Sequence, residues 1–318
     1  MVITKAESGR MSHSEFGRRV QAVVDNIRRV VVARPEVIRM SLVGLLCRGH
    51  VLLDDFPGVG KTLLAKALAQ SLKADFKRIQ FTPDLLPTDI TGASIYNPSD
   101  GSFRFVPGPI FANIVLADEI NRSSPRTQAA LLEAMGEGNV TFDGVVHPLP
   151  KPFFVIATRN LAETHGTFPL PQSQLDRFLL SFGIGYPGPE DEVEILARHE
   201  HGEISLSPVL TADDITTMQE RVLQVEVARS VKEYIANIVA QTRASAEIAI
   251  GASPRGAVFL QRAAQARAAM EDRNFVTPDD VKAVAPAVLR HRILPRSSEP
   301  DSAAKCLEAI LESVPVPL

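Results

Sequence analysis

Residues 55–62 read Asp55-Phe56-Pro57-Gly58-Val59-Gly60-Lys61-Thr62, directly after an apolar run and directly before a helical pattern from Leu63 to Leu72. A strand, a glycine-rich turn, a lysine and a hydroxyl residue at a helix start form an arrangement that holds phosphate. Gly58 and Gly60 let successive backbone N–H groups converge on an anion, and the helix N-terminus adds its partial positive charge. Lys61 is expected to reach the β- and γ-phosphates of a nucleotide and the Thr62 hydroxyl to enter a Mg²⁺ shell, with the backbone from Pro57 to Leu63 completing the cradle. One position departs from the pattern G-x-x-x-x-G-K-[ST], which asks for glycine where Asp55 stands. A carboxylate aimed at triphosphate would repel it, so the Asp55 side chain is expected to point away.

A second segment supplies the remaining phosphate chemistry. Asn113-Ile-Val-Leu-Ala-Asp118-Glu119-Ile-Asn-Arg122 is an apolar strand ending in two acids. A buried parallel strand delivers its last residues to the carboxyl edge of a sheet, where ligands of α/β folds bind. Asp118 there suits Mg²⁺, and Glu119 suits a base that polarises the attacking water.

Positioning these groups takes a sheet. His50 to Asp55, Phe76 to Phe81, Ile114 to Glu119, Phe153 to Thr158 and Phe178 to Ile184 each read as a buried strand, and their alternation with helices predicts a largely parallel α/β layer. Two hairpins interrupt it, one around Pro98-Ser-Asp-Gly101 and one at Asp143-Gly144, a strong two-residue turn signal. After Pro187 the pattern turns helical, so the chain divides into an α/β nucleotide-binding domain over 1–187 and a helical lid over 188–318. Val231, Tyr234, Ile235, Ile238 and Val239 make a single apolar stripe, and Thr211 with Asp214 and Thr277 with Asp280 read as helix caps. Ser253-Pro254-Arg255 opens a helix running to about Met270, with Ser253 as N-cap. A cation in that first turn opposes the helix dipole, which implies an anionic partner for Arg255.

Composition narrows the class. With Lys+Arg 34 against Asp+Glu 37 the net charge is −3, and there is no Trp and only three Tyr. Neither bulk electrostatics nor a stacking platform favours nucleic acid. Two cysteines, Cys47 and Cys306, both in apolar or helical patterns, are expected to be reduced and buried. No stretch reaches the roughly 18–20 apolar residues of a membrane span, and the polar start is no signal peptide, so a cytoplasmic protein is expected. The seven histidines show no metal-ligand spacing, and His291, between Arg290 and Arg292, is expected on a polar lid surface.

In this order, Lys61-Thr62, Asp118-Glu119, Asn160, Arg177 and Arg255 resemble an AAA+ ATPase. Longer strings are similar to the MoxR family in particular: Phe81-Thr-Pro-Asp-Leu-Leu-Pro87, Gly101 to Asn113, Leu116-Ala-Asp-Glu-Ile-Asn-Arg122, Gln174-Leu-Asp-Arg-Phe178 and Ala252-Ser-Pro-Arg255. The resemblance runs from about Val30 to Ile293. It implies an AAA+ core with a five-stranded parallel sheet, inserted hairpins and a small helical lid, binding ATP and Mg²⁺. It further implies that Asn160 orients the attacking water, that Arg177 reaches into a neighbour's site, that Arg255 contacts the γ-phosphate from the lid, and that Val32 to Glu36 packs near the adenine. The family's ring, commonly a hexamer, implies a chaperone-like activator of partner proteins, often with a von Willebrand factor A domain. Departures stand at Arg159 and Gln172, which add positive character, and at Gly136 and Gly138, expected to end their helix early. The alternatives are a nucleic-acid-linked or Mg-chelatase-like motor and a weakly hydrolysing ATP-binding switch.

Overall fold

The computed structural model describes residues 13–99, 101–160, 166–200, 205–299 and 301–317. Nine strands precede the lid among them. These are β1 (Val51–Asp55), β2 (Phe76–Gln80), β3 (Gly92–Asn97), β4 (Ser102–Pro107), β5 (Ile114–Asp118), β6 (Asn139–Phe142), β7 (Val145–Pro148), β8 (Phe154–Asn160) and β9 (Leu180–Phe182). Five form one parallel sheet in the order β2-β5-β8-β1-β9. Side chains alternate faces along a strand, and each face has its own core. Val51, Leu53, Ile114, Leu116, Phe154 and Ile156 point one way, while Leu52, Val115, Ala117, Val155 and Ala157 point the other.

Helices α1 (His13–Arg28), α2 (Pro35–Leu46) and α3 (Lys61–Ser71) cover the first face, and α4 (Pro87–Thr91) and α5 (Pro125–Glu137) the second. The strand at β2 differs from the buried reading: it is the sheet edge, and Lys77 and Arg78 are exposed. β9 is shorter than expected, because only Leu180 to Phe182 pair with β1. In the second hairpin Phe142 pairs with Val145, leaving Asp143 and Gly144 as a two-residue turn, both with positive φ. Ser94 Oγ donates to Asp143 Oδ2 at 3.4 Å, tying the two hairpins together.

The early helix end expected at Gly136 does not occur. α5 runs through Gly136 to Glu137, and Gly138 closes it at φ 66° with its N–H on the Ala134 carbonyl. Glycine's freedom is used once, at the left-handed cap, where a side chain would be strained.

A helical segment follows the short α6 (Gln172–Leu175). It comprises α7 (Pro189–Glu200), α8 (Ala212–Leu223), α9 (Arg229–Ala244), α10 (Pro254–Met270), α11 (Pro278–Leu289) and α12 (Ser302–Ser313), with β10 (Ile248–Ile250) pairing antiparallel to β11 (Leu294–Pro295). Thr211 with Asp214 and Thr277 with Asp280 form reciprocal capping boxes. The stripe Val231, Tyr234, Ile235, Ile238 and Val239 is buried. Met218, Leu260 and Val284 of these helices belong to the same core as α1, α2 and one sheet face.

Cys47 and Cys306 are free, buried thiols, and burial pushes Cys47 up to about 12. His291 departs from the surface reading: it is buried, its Nε2 lies 3.1 Å from the Phe178 carbonyl, and burial holds it neutral, well below the usual histidine range. Sequence pattern missed this because His291 and Arg292 dock on the segment before β9 while Arg290 faces solvent.

Candidate active site

β1 ends at Asp55 and α3 begins at Lys61, so residues 56–60 form the loop between strand and helix. Gly58 and Gly60 have φ of 82° and 93°, and nothing lies within 4 Å of where a Cβ would stand on either. The turn is thus an open cradle lined by backbone, at the N-terminus of an eleven-residue helix. Lys61 Nζ donates to the carbonyls of Asp55 (3.3 Å) and Phe56 (3.0 Å), curled over the loop, and Thr62 is half-buried beside it.

Asp55 points away from the cradle, as electrostatics required. It is buried, its Oδ1 accepts the Phe56 N–H at 2.9 Å, and its Oδ2 accepts the N–H groups of Ile184 and Gly185. The carboxylate thereby ties the start of the phosphate loop to the chain leaving β9 for the lid. Phe56 stacks on Tyr186 across the same junction, with ring centroids 4.9 Å apart. Arg34, from the segment expected near adenine, stands at the N-cap position of α2 without a side-chain cap bond and lies beside Gly185.

The acid pair stands two strands away, with β8 between β1 and β5. Asp118 Oδ1 accepts the Thr158 hydroxyl at 2.6 Å, and Asp118 Oδ2 accepts from Arg78 Nη2 at 2.6 Å and Nε at 3.1 Å. Glu119 has φ 57°, a left-handed conformation unfavourable for a residue with a side chain. Its N–H is held by Thr158 Oγ1 at 2.8 Å, and its Oε2 accepts from Gln80 Nε2 (2.7 Å) and Arg122 Nη1 (3.0 Å). Asn160 is buried at the end of β8, in register with Asp55 of β1. Three adjacent carboxyl ends therefore bring the phosphate loop, an amide and two carboxylates together.

Arg159 does not add the positive character expected of it. Its guanidinium forms a two-pronged pair with Asp54 at 2.7 and 2.8 Å, and Ser181 Oγ donates to the same carboxylate. Gln172 Nε2 instead donates to the His291 carbonyl at 2.8 Å.

Arg177 and Arg255 are not brought to this edge. The Leu179 N–H bonds the His50 carbonyl at the start of β1, so the turn carrying Arg177 sits at the opposite, amino edge of the sheet. With a rise of about 3.3 Å per residue, the ends of β1 are roughly 13 Å apart. Arg177 is exposed and donates to the Leu132 carbonyl at 2.7 Å. Arg255, also exposed, lies 3.5 Å from the Asp176 carboxylate. Ser253 occupies the N-cap position but makes no cap bond, and its hydroxyl donates to Asp176 instead. The lid arginine thus shares the amino edge of the sheet with the turn that carries Arg177.

Sequence reading missed Thr158, Arg78, Gln80, Asp176 and Arg292. A threonine inside an otherwise apolar strand was the available signal for Thr158. Arg78 and Gln80, two apart on β2, share a face and reach one acid each, which the strand's period could have shown once its register to β5 was known.

A parallel sheet presenting a phosphate loop, a buried amide and an acid pair at one edge, with a helical lid, is the architecture of the AAA ATPases. The model of the ATPase family associated with various cellular activities matches residues 50–180, and that of the AAA lid domain matches 240–313. The chain is 49% identical to the YeaC protein of Bacillus subtilis over 93% of this chain and 94% of that one. It is 40% identical to the chaperone MoxR1 of Mycobacterium tuberculosis over 86% of this chain and 75% of that one. A crystal structure from Cytophaga hutchinsonii superposes with a TM-score of 0.89 at 37% identity, covering 96% of this chain and 97% of the other. The chain belongs to the MoxR family of AAA+ ATPases.

Proposed function

We propose that this chain binds ATP with Mg²⁺ at the carboxyl edge of the sheet and hydrolyses it within a ring, using the resulting change to activate partner proteins. The observation that carries the reading is the adjacency of β1, β8 and β5, which sets the glycine cradle, Asn160 and Asp118-Glu119 around one space. The Pro57–Leu63 backbone and Lys61 hold the phosphates. Thr62 and Asp118 are the groups that would hold Mg²⁺, a donor set of one hydroxyl and one carboxylate suited to an ion that keeps several waters. Held there, the ion would supply neutralisation of the phosphate charge. Glu119 takes a proton from the attacking water, and Asn160 orients that water.

Arg177 and Arg255, on the edge remote from their own loop, serve the site of a neighbouring subunit. Their role is to stabilise charge on the transferring phosphoryl group, where an added arginine is worth about 10³–10⁵ in rate in well-studied systems. The hexamer follows family resemblance, as does a client bearing a von Willebrand factor A domain. A boundary near residue 187 separates core from lid.

The test is a pair of substitutions with different expected failures. Lys61→Ala loses nucleotide binding. Glu119→Gln keeps binding and loses turnover by about 10²–10⁴, the scale of a positioned base. Parental turnover in Glu119→Gln overturns the assignment of the base and with it the mechanism.

A further inference from the structure

Asp176 immediately precedes Arg177 and gathers three partners. Its Oδ1 accepts from Arg292 Nε at 3.0 Å, while its Oδ2 accepts from Ser253 Oγ at 2.9 Å and faces Arg255 Nη1 at 3.5 Å. The Arg292 side chain is only 1% exposed. Its remaining nitrogens donate to the carbonyls of Val288, Phe178, Leu179 and Asp176, and its guanidinium lies over the Phe259 ring. Burial lowers the Arg292 pKa to about 10, which leaves it charged at neutral pH.

A buried ion pair is a poor source of stability, since well-packed apolar groups serve as well. What a guanidinium fork adds is direction, because it fixes the carboxylate and the carbonyls around it in one plane. The pair joins the lid turn Arg290–Arg292 to the turn ahead of β9, and only the second of these carries Arg177. Arg177 itself rests on the Leu132 carbonyl in space left by Gly136, where an added Cβ would come within 3.2 Å of its Nη1.

We propose that Asp176 is a positioning residue: pinned from inside by Arg292, it presents Arg177 and Arg255 as two arms of one receptor for the triphosphate of the neighbouring subunit. The proposal rests on the ring reading above. The buried Arg292 and the exposed Arg255 would repel each other, and the carboxylate between them holds Arg255 ready beside the turn that carries Arg177 before the anion arrives. Arg255, exposed and at the longest distance, is the arm free to leave Asp176 for phosphate. Arg292 stays.

The experiment uses the full chain with Asp176→Asn, which keeps the shape and removes the charge. The mutant's own phosphate loop is untouched, so ATP affinity and assembly by sedimentation stay parental. Its kcat falls by about 10–100-fold, the scale of a displacement near 1 Å in a positioned group. Mixing with Lys61→Ala subunits restores activity, because those subunits keep intact arms to lend to a neighbour with a working loop. Mixing with Arg177→Ala subunits restores none. Thermal stability falls in either case, because Arg292 loses its counter-charge; a structural role alone would also lower ATP affinity and show no complementation. Should Asp176→Asn fail to fold, Ser253→Ala, which removes one hydroxyl bond, decides the matter through a smaller kcat loss complemented in the same way. Parental kcat in the folded variant, or a loss that Lys61→Ala subunits do not complement, overturns the proposal while a slow Arg177→Ala leaves the ring reading standing. Parental kcat in Arg177→Ala overturns the ring reading itself.

Discussion

Thr158→Val tests whether one hydroxyl sets the geometry of both acids. Thr158 is fully buried, its Oγ1 donates to Asp118 Oδ1 at 2.6 Å, and the same oxygen accepts the Glu119 N–H at 2.8 Å. Valine has nearly the same shape, so no cavity opens. A hydrogen bond to a charged group contributes about 1.5–3 kcal/mol, and an orphaned buried N–H costs about 1–3 kcal/mol. The expected loss is therefore about 3–5 kcal/mol before relaxation. With an unfolding entropy of about 2.1 cal/mol/K per residue over 318 residues, 3 kcal/mol lowers Tm by about 4–5 °C. Glu119 has a second reason to respond. Its left-handed backbone is disfavoured by about 1–2 kcal/mol, and the Thr158 bond is the one that holds its N–H. Released, the residue relaxes and the carboxylate moves, so kcat falls by about 10–100-fold, while the KM for ATP changes less, because the glycine cradle and Lys61 are untouched and only Asp118 is loosened. Thr158→Ser keeps the hydroxyl and loses a methyl group, at about 1 kcal/mol, with kcat within a few-fold of the parent. Thermal melts and steady-state ATPase assays read both quantities. Parental Tm and parental kcat in Thr158→Val would refute the reasoning.

Two further outcomes are expected. His50 is buried, with Nδ1 accepting the Val155 N–H at 3.0 Å and Nε2 facing the Met135 carbonyl at 3.1 Å, and burial lowers its pKa from 6.5 to about 4. Between those values the unfolded chain binds more protons, so stability is full above pH 6.5 and falls as pH drops toward 4, by up to about 3 kcal/mol; urea titrations at pH 7, 6 and 5 should show the decline, and a flat response would contradict it. Replacing residues 97 to 102 with a short Gly-Ser turn should leave Tm and basal ATPase nearly parental and weaken client effects. The hairpin carries exposed Ile95, Tyr96 and Phe103 away from the sheet core, and loss of folding would show that it is structural.

What could be read from the chain was what depends on neighbours in sequence. Gly58, Gly60, Lys61 and Thr62 are set by a local turn, the acids of Asp118-Glu119 end an unmistakable apolar strand, and Asp143-Gly144 specifies its own turn. What could not be read depends on register and docking. Arg159 looked like surplus charge until β8 was placed beside β1, where Asp54 neutralises it. His291 looked like surface because its arginine neighbours are polar, but Arg292 is itself buried on Asp176. Gly136 looked like a helix stop, yet a glycine within a helix lowers stability without ending it, and Gly138 carries the cap. The order of the five strands was equally hidden, although Lys77, Arg78 and Gln80 already set β2 apart from the four apolar runs.

The core that passes from one sheet face through α1 and α2 into the lid bears on how the chain can be cut. Gln219 of α8 donates to the Leu45 carbonyl at the end of α2, Arg19 of α1 pairs with Asp214 of α8, and Leu42, Leu45, Met218 and Leu260 share one apolar interior. Cutting at residue 187 would not release an independent nucleotide-binding module. It would strip the cover from α2 and leave a wide greasy flank on one fragment and a matching one on the other. Fragments of this kind aggregate or find each other again, and co-expressed halves should reassemble where either half alone is insoluble. Layers that look separable in the order of their elements are, as material, a single piece.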